Sequence, residues 1–360
     1  MTNAPTLPRW SLAVPPAALL ILVSSYGRHL GPFLIVLVCL GLAGAVTAAV
    51  HHAEVVAHRV GEPFGTLILA IAVTVIEVAL IVTLMVSGGE KAAALARDTV
   101  FAAIMITTNG IVGLALLVGA LRHRVQEFRA HASGGALAVI TALVTLSLVL
   151  PTFTESTPGP TFSGAQLAFA GVASLVLYGV FVFVQTVRHR DYFLPKTSAS
   201  EDEHADAPSG KTTRTSLVLL LACLVAVVGL AKTVSPTLES AVDSVGAPVS
   251  FVGVLIALLV LLPETVAAVR ASLRNRLQVS LNLALGSALA SIGLTIPAIA
   301  VASIWLTGPL RLGLGPKELV LLVLTLLVST LTLVSGRATL LQGTVHLTVF
   351  SAFLFLAVTP

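Results

Sequence analysis

The sequence predicts an all-α polytopic membrane protein with about eleven transmembrane helices, arranged as one plus five plus five. Three observations carry this prediction. The 360 residues are 56% hydrophobic and 10% charged, with a mean hydropathy of +1.02, whereas a soluble domain carries about 25% charged residues. Apolar runs long enough to span a bilayer as helices follow one another with short polar turns between them; a membrane barrel would alternate in segments of about ten residues. A single polar stretch, residues 188–214, divides the series after the sixth run.

The predicted spans lie near residues 11–26, 32–50, 64–87, 98–121, 134–151, 164–187, 215–235, 249–270, 279–305, 316–335 and 338–357. Residues 1–31 hold an extra helix, 32–187 a first five-helix unit and 215–360 a second. No trustworthy cleavage site follows the first run, so it is expected to be retained. Asp98 is expected to cap its helix. The 188–214 stretch is too polar to pack and reads as a flexible cytoplasmic linker. Its acidic run of Glu201, Asp202, Glu203 and Asp206 fixes no ligand geometry and reads as a solvated spacer.

Charge gives the expected orientation. With the N-terminus in the cytoplasm, fourteen of the twenty lysines and arginines fall on the inner side, so the chain is predicted N-in and C-out. The net charge of +4 speaks to that orientation, with no implied nucleic-acid partner. Five is an odd number, so the second five-helix unit enters the membrane opposite to the first. That is the inverted-topology repeat of many secondary transporters. Cys39 and Cys223 sit in apolar runs of different halves, which argues against a disulfide or thiolate–metal framework.

Glu77 and Glu264 are the two carboxylates well inside predicted spans, each in the second helix of its unit. An acidic residue at that depth costs roughly 2.5–3.5 kcal/mol on insertion scales, and no Lys or Arg lies inside a span away from its ends to neutralise either one. The helix after each glutamate is rich in small and polar residues: Thr107, Thr108, Asn109, Gly110 and Gly113 in one half, and Asn282, Gly286, Ser287, Ser291, Gly293 and Thr295 in the other. Aligning Gly110 with Gly293 sets Thr108 opposite Ser291. Small residues also let helices pack closely, but an amide such as Asn109 needs a partner in lipid.

Pro263 cannot donate to the carbonyl of Leu259, which is left free one turn before Glu264; Pro297 frees that of Gly293 likewise. Carboxylates, hydroxyls, an amide and freed carbonyls make an all-oxygen set that suits hard cations such as Ca²⁺, Na⁺ or K⁺. Burial and mutual repulsion also favour protonation, so protons and a cation compete for one site. Two protons replacing one Ca²⁺ leave its charge unchanged. The expected partners are inorganic cations, protons and the bilayer, with no cofactor.

His51, His52, Glu54 and His58 cluster at the inner end of the second run, without the H-E-x-x-H order of a metalloprotease helix. A titratable interfacial cluster that senses cytoplasmic pH is one reading, a solvated helix face the other. His346, inside the last run, reads as a packed, partnered residue. The sequence offers no metal triad or serine–base pair at depth, which disfavours an intramembrane hydrolase. Cation/proton antiport, sodium-coupled calcium exchange and a passive cation channel remain.

The stretch HHAEVVAHRVGEPFGTLILAIAVTVIE resembles the first α-repeat of the calcium/cation antiporter superfamily, in its cation/proton exchanger branch. Ala53-Glu54, Gly61, Gly65, Thr66, Leu67 and Glu77 match that pattern. LARDTVFAAIMITTNGIVGLALLVG and NRLQVSLNLALGSALASIGLTIP resemble its paired fourth and ninth helices, most closely those of bacterial ChaA-type antiporters. The resemblance implies a sodium/calcium exchanger-like fold, α-repeats at about 64–121 and 249–305, and exchange of Ca²⁺, Na⁺ or K⁺ against H⁺ by alternating access. It also implies that Glu77 and Glu264 are ion ligands, with Thr74 in place of the usual Asn before the first. Asn109 falls near the Asn of the fourth helix, and Gly286-Ser287 match the Gly-Ser of the ninth. The Gly-Asn before each glutamate is absent, and Ala290 stands where the family has Gln, so fewer polar ligands remain than strict Ca²⁺ selectivity needs.

Overall fold

The computed structural model describes residues 7–28, 31–61, 64–88, 93–193, 208–244, 246, 248, 250–305 and 309–359. The described chain is almost entirely helical. In order it forms α1 (Arg9–Ser25), α2 (Pro32–Val60), α3 (Phe64–Gly88), α4 (Leu95–Met105), α5 (Val112–His123), α6 (Ala130–Val144), α7 (Gly164–Phe183), the short α8 (Arg190–Phe193), α9 (Gly210–Ser244), α10 (Ser250–Val260), α11 (Leu262–Leu273), α12 (Leu277–Ala302), α13 (Pro316–Val334) and α14 (Leu340–Val358). Two-residue strands β1 (Gln126–Glu127) and β2 (Arg337–Ala338) pair antiparallel and tie the α5–α6 connection to the α13–α14 connection.

Each apolar run coincides with a helical stretch. Nine continuous helical segments among the described residues are long and apolar enough to cross a membrane, and α10 with α11 forms a tenth candidate bent by 51°. α1, at 17 residues, is shorter. The chain is thus a multi-pass membrane protein. The structure differs from the sequence reading at the linker. Helical structure continues through Val184–Arg188 and α8, and resumes at Gly210, so both ends of the 188–214 stretch are ordered. Residues 194–207, with the acidic run, lie outside the described residues. Asp98 is no cap: its helix begins at Leu95, and the side chain accepts a 2.7 Å hydrogen bond from Arg97 Nε.

Two apolar cores hold the bundle together. One gathers side chains from α4 to α7 and α10 to α14; the other joins α1, α2, α3, α9 and α10. The glutamate helices pack crosswise: α3 lies on α12, while α10 lies on α4 and α11 on α5 and α12. Glycine makes close approach possible where α14 crosses α5, since a Cβ on Gly343 would meet the backbone N of Leu117 at 2.5 Å. The α4–α5 segment is interrupted at depth by a π-helical turn, Ile106–Ile111, which inserts an extra residue and rotates the face that follows.

Candidate cation site

Helical periodicity decides which side chains meet. On α3, residues 69/70, 73/74 and 77 recur every three to four positions; on α12, 282/283, 286/287 and 290/291 do the same. Side chains so spaced share one face, and here these faces enclose one cavity of about 240 Å³. Glu77 and Glu264 both line it, with Thr74, Gly286, Ser287 and Ser291. Glu77 is 4% exposed. Its Oε1 accepts a 2.6 Å hydrogen bond from Ser291 Oγ and its Oε2 a 3.2 Å one from Thr295 Oγ1. Hydroxyls donated to both oxygens stabilise the buried group by replacing water.

Glu264 is held differently. The chain breaks at Leu261, and α11 restarts with Pro263 in its first turn, where the missing N–H costs nothing. Glu264 is in that same turn, at the positive end of a half-helix, where a carboxylate is favoured. Its Oε2 is buried and has no hydrogen-bond partner among the described residues. One carboxylate is therefore tethered and the other has an unspent acceptor in the shared cavity.

The remaining expected ligands lie elsewhere, which corrects the sequence-derived set. Asn109 and Thr108 do not line the cavity. Asn109 Nδ2 donates to Thr325 Oγ1 on α13 at 2.9 Å, and its Oδ1 lies 3.1 Å from His346 Nδ1 on α14. His346 is 1% exposed, with Nε2 3.1 Å from Thr332 Oγ1. Thr108 donates back to the Ile104 carbonyl of its own helix. Asn109 therefore faces α13 and α14, and the Thr108 hydroxyl is spent within its helix. The Leu259 carbonyl does lose its donor at Pro263, but Ala257, Val260 and Leu261 line the cavity in its place.

Sequence reasoning missed two polar side chains of the cavity lining, Tyr178 and Gln185. A lone amide in an apolar run was the available signal for Gln185. Gly293 brings Tyr178 close, since a Cβ there would meet the tyrosine Cβ at 2.8 Å.

The histidine cluster is divided. His52 is buried, its Nε2 2.9 Å from the Ser11 carbonyl of α1. His51, Glu54 and His58 line a separate cavity between α2, Leu7-Pro8 and the start of α9. Among the described residues no group of three or more His, Cys, Asp or Glu side chains is arranged to hold a metal ion.

Two carboxylates that line one cavity of a multi-pass helical membrane protein can together hold a cation. The comparisons with known proteins give the family. The sodium/calcium exchanger protein family model matches residues 30–187 and 215–359, and the chain belongs to that family. It is 49% identical to the y4hA protein of Sinorhizobium fredii over 98% of this chain and 97% of the relative. It is 36% identical to the sodium-potassium/proton antiporter ChaA of Escherichia coli over 96% of this chain and 94% of the relative. The structure of native YfkE superposes with a TM-score of 0.70 at 18% identity, covering 98% of this chain and 99% of that one, which shows the shared fold.

Proposed function

We propose that this protein is a cation/proton antiporter of the bacterial inner membrane, with Glu77 and Glu264 alternately protonated and cation-bound. The carrying observation is that both carboxylates line one cavity, with Glu264 Oε2 unpartnered. Two carboxylates in one cavity that no cationic side chain lines among the described residues require neutralisation. Two protons, one Ca²⁺, or one proton with one Na⁺ or K⁺ all achieve it, which makes the site an exchanger of these species. Thr74, Ser287 and Ser291 supply further oxygens. The sodium-potassium/proton antiport named for the ChaA relative fits this short ligand set.

The proposal includes eleven spans, an inverted repeat and an N-in, C-out orientation. The reciprocal packing of α3 on α12 and α10 on α4 supports the repeat. In that orientation the cavity extends from the glutamates to Gln185 and Val279 on the cytoplasmic side, as in the inward-facing half of an alternating-access cycle. His51, Glu54 and His58, which line a separate cavity, are then at the inner rim and modulate exchange from there; replacing both histidines with Gln should displace the pH profile of exchange while leaving the carboxylate competition and the preferred ion unchanged.

The test is reconstitution in liposomes with a trapped pH dye, an imposed proton gradient, and Ca²⁺, Na⁺ or K⁺ added singly. Dye recovery with one ion, lost in Glu77→Gln and Glu264→Gln, is the expected result. Calcium flux that follows a sodium gradient without proton movement would establish sodium-coupled exchange instead, and flux that drives nothing uphill would establish a channel.

A further inference from the structure

At the junction where β1 and β2 tie α5–α6 to α13–α14, a second cavity of about 430 Å³ is lined by residues including Arg129, His131, Tyr192 and Arg337. It shares no lining residue with the glutamate cavity. Its described lining carries two arginines and one carboxylate, Glu127, which pairs with Arg337.

Arg129 is fixed at the start of α6, its backbone N–H donating to Gln278 Oε1 at 2.6 Å. Its guanidinium hydrogen-bonds to no acceptor among the described residues, and its Nε is shut off from solvent. A desolvated guanidinium N–H without an acceptor is costly, which favours a further acceptor at the terminal N–H groups of the same guanidinium, where Arg129 lines the cavity. Arg337 faces the same space. It pairs with Glu127 at 3.3 Å, but its side chain is 70% exposed and keeps donors to spare. α6 begins there without a side-chain cap, so its first N–H groups add a third set of donors at the positive end of the helix. Tyr192 is held at the wall by stacking on His189, with ring centres 4.9 Å apart.

Two guanidinium forks and a helix N-terminus converging from different elements match a tetrahedral oxyanion with several acceptor oxygens. The cavity also lies where four apolar helices end or begin, at headgroup level for a multi-pass protein, and basic pockets between spanning helices suit anionic headgroups. We propose that this cavity binds a phosphate group, supplied by the headgroup of an anionic phospholipid.

The experiment uses the full chain, purified in detergent and stripped of lipid, then mixed with phosphatidylglycerol, phosphatidylcholine or inorganic phosphate. Bound lipid is measured by native mass spectrometry. Phosphatidylglycerol should be retained over phosphatidylcholine, and Arg129→Gln and Arg337→Gln should each weaken retention about tenfold, the loss of one charge-assisted contact. Arg337 is exposed, so R337Q keeps the test valid even where R129Q fails to fold. Inorganic phosphate that binds the wild type and not the variants, with no lipid preference, would keep the phosphate chemistry and overturn the lipid source. Equal retention by wild type and both variants would overturn the proposal. Since the readout is binding, neither result depends on the exchange reaction.

Discussion

Ser291 Oγ donates a 2.6 Å hydrogen bond to Glu77 Oε1, joining a helix of the second half of the chain to a carboxylate of the first. A hydroxyl donor to a buried carboxylate is worth roughly 1.5–3 kcal/mol. Ser291→Ala should therefore raise the KM for the transported cation about tenfold or more, while Ser291→Thr keeps the donor and should restore much of the loss. Cation-dependent dye recovery in liposomes measures both.

Protons and the cation compete for the same two carboxylates in the proposed cycle. Where both are protonated in the cation-free protein, binding one divalent ion releases two protons. Each unit fall in pH should then raise the apparent Kd about a hundredfold, by linkage, and about tenfold for a monovalent ion that displaces one proton. Affinity is highest on the alkaline side and lost toward acid. Isothermal titration at a series of pH values gives the slope, and a flat profile would contradict carboxylate competition.

Asn109 should behave as a structural residue. Replacing it with Ala leaves His346 and Thr325 without their partner in a buried network, at a cost of about 1–3 kcal/mol. Thermal unfolding in detergent should fall by several degrees, with the KM for the cation nearly unchanged. A large rise in KM with intact stability would return Asn109 to the ion site.

Pro263 sets the 51° break between α10 and α11. Pro263→Ala restores a donor for the Leu259 carbonyl and removes the ring clash that enforces the bend. The straighter helix would carry Glu264 away from Glu77. Exchange should drop strongly while the protein remains folded, which helical content by circular dichroism together with transport assays would show.

Gly343→Ala should disrupt the α5–α14 crossing, because the added methyl meets Leu117 backbone and not a flexible side chain. Overpacking of this kind costs about 1–3 kcal/mol. A lower unfolding temperature is the expected readout, whereas Gly286→Ala, whose Cβ meets nothing within 4 Å, should be tolerated by the fold.

The helical stretches were legible in the sequence because apolar runs of this length have few alternatives in a membrane. Glu77 and Glu264 were legible because a charge in such a run has an evident cost. The rotation of a helix about its axis was much less so. Asn109 and Thr108 sit in the π-helical turn Ile106–Ile111, with Asn109 turned to α13 and α14 and neither lining the cavity, and no hydropathy pattern marks such a turn. Hydroxyl partners such as Thr295, more than two hundred residues from Glu77 in sequence, emerge only when α3 and α12 pack.

The unequal anchoring of the two carboxylates has a consequence for selectivity. A rigid cage discriminates between ions by radius, since every oxygen resists displacement. Here one wall of the cavity is pinned by two hydroxyls while an oxygen of the other has no internal bond to break. Such a site can close on a small ion or open for a larger one by moving a single side chain. In the proposed antiport cycle, breadth toward Na⁺, K⁺ and Ca²⁺ would follow from the mechanics of the pocket, and narrowing it would take a donor placed within reach of Glu264.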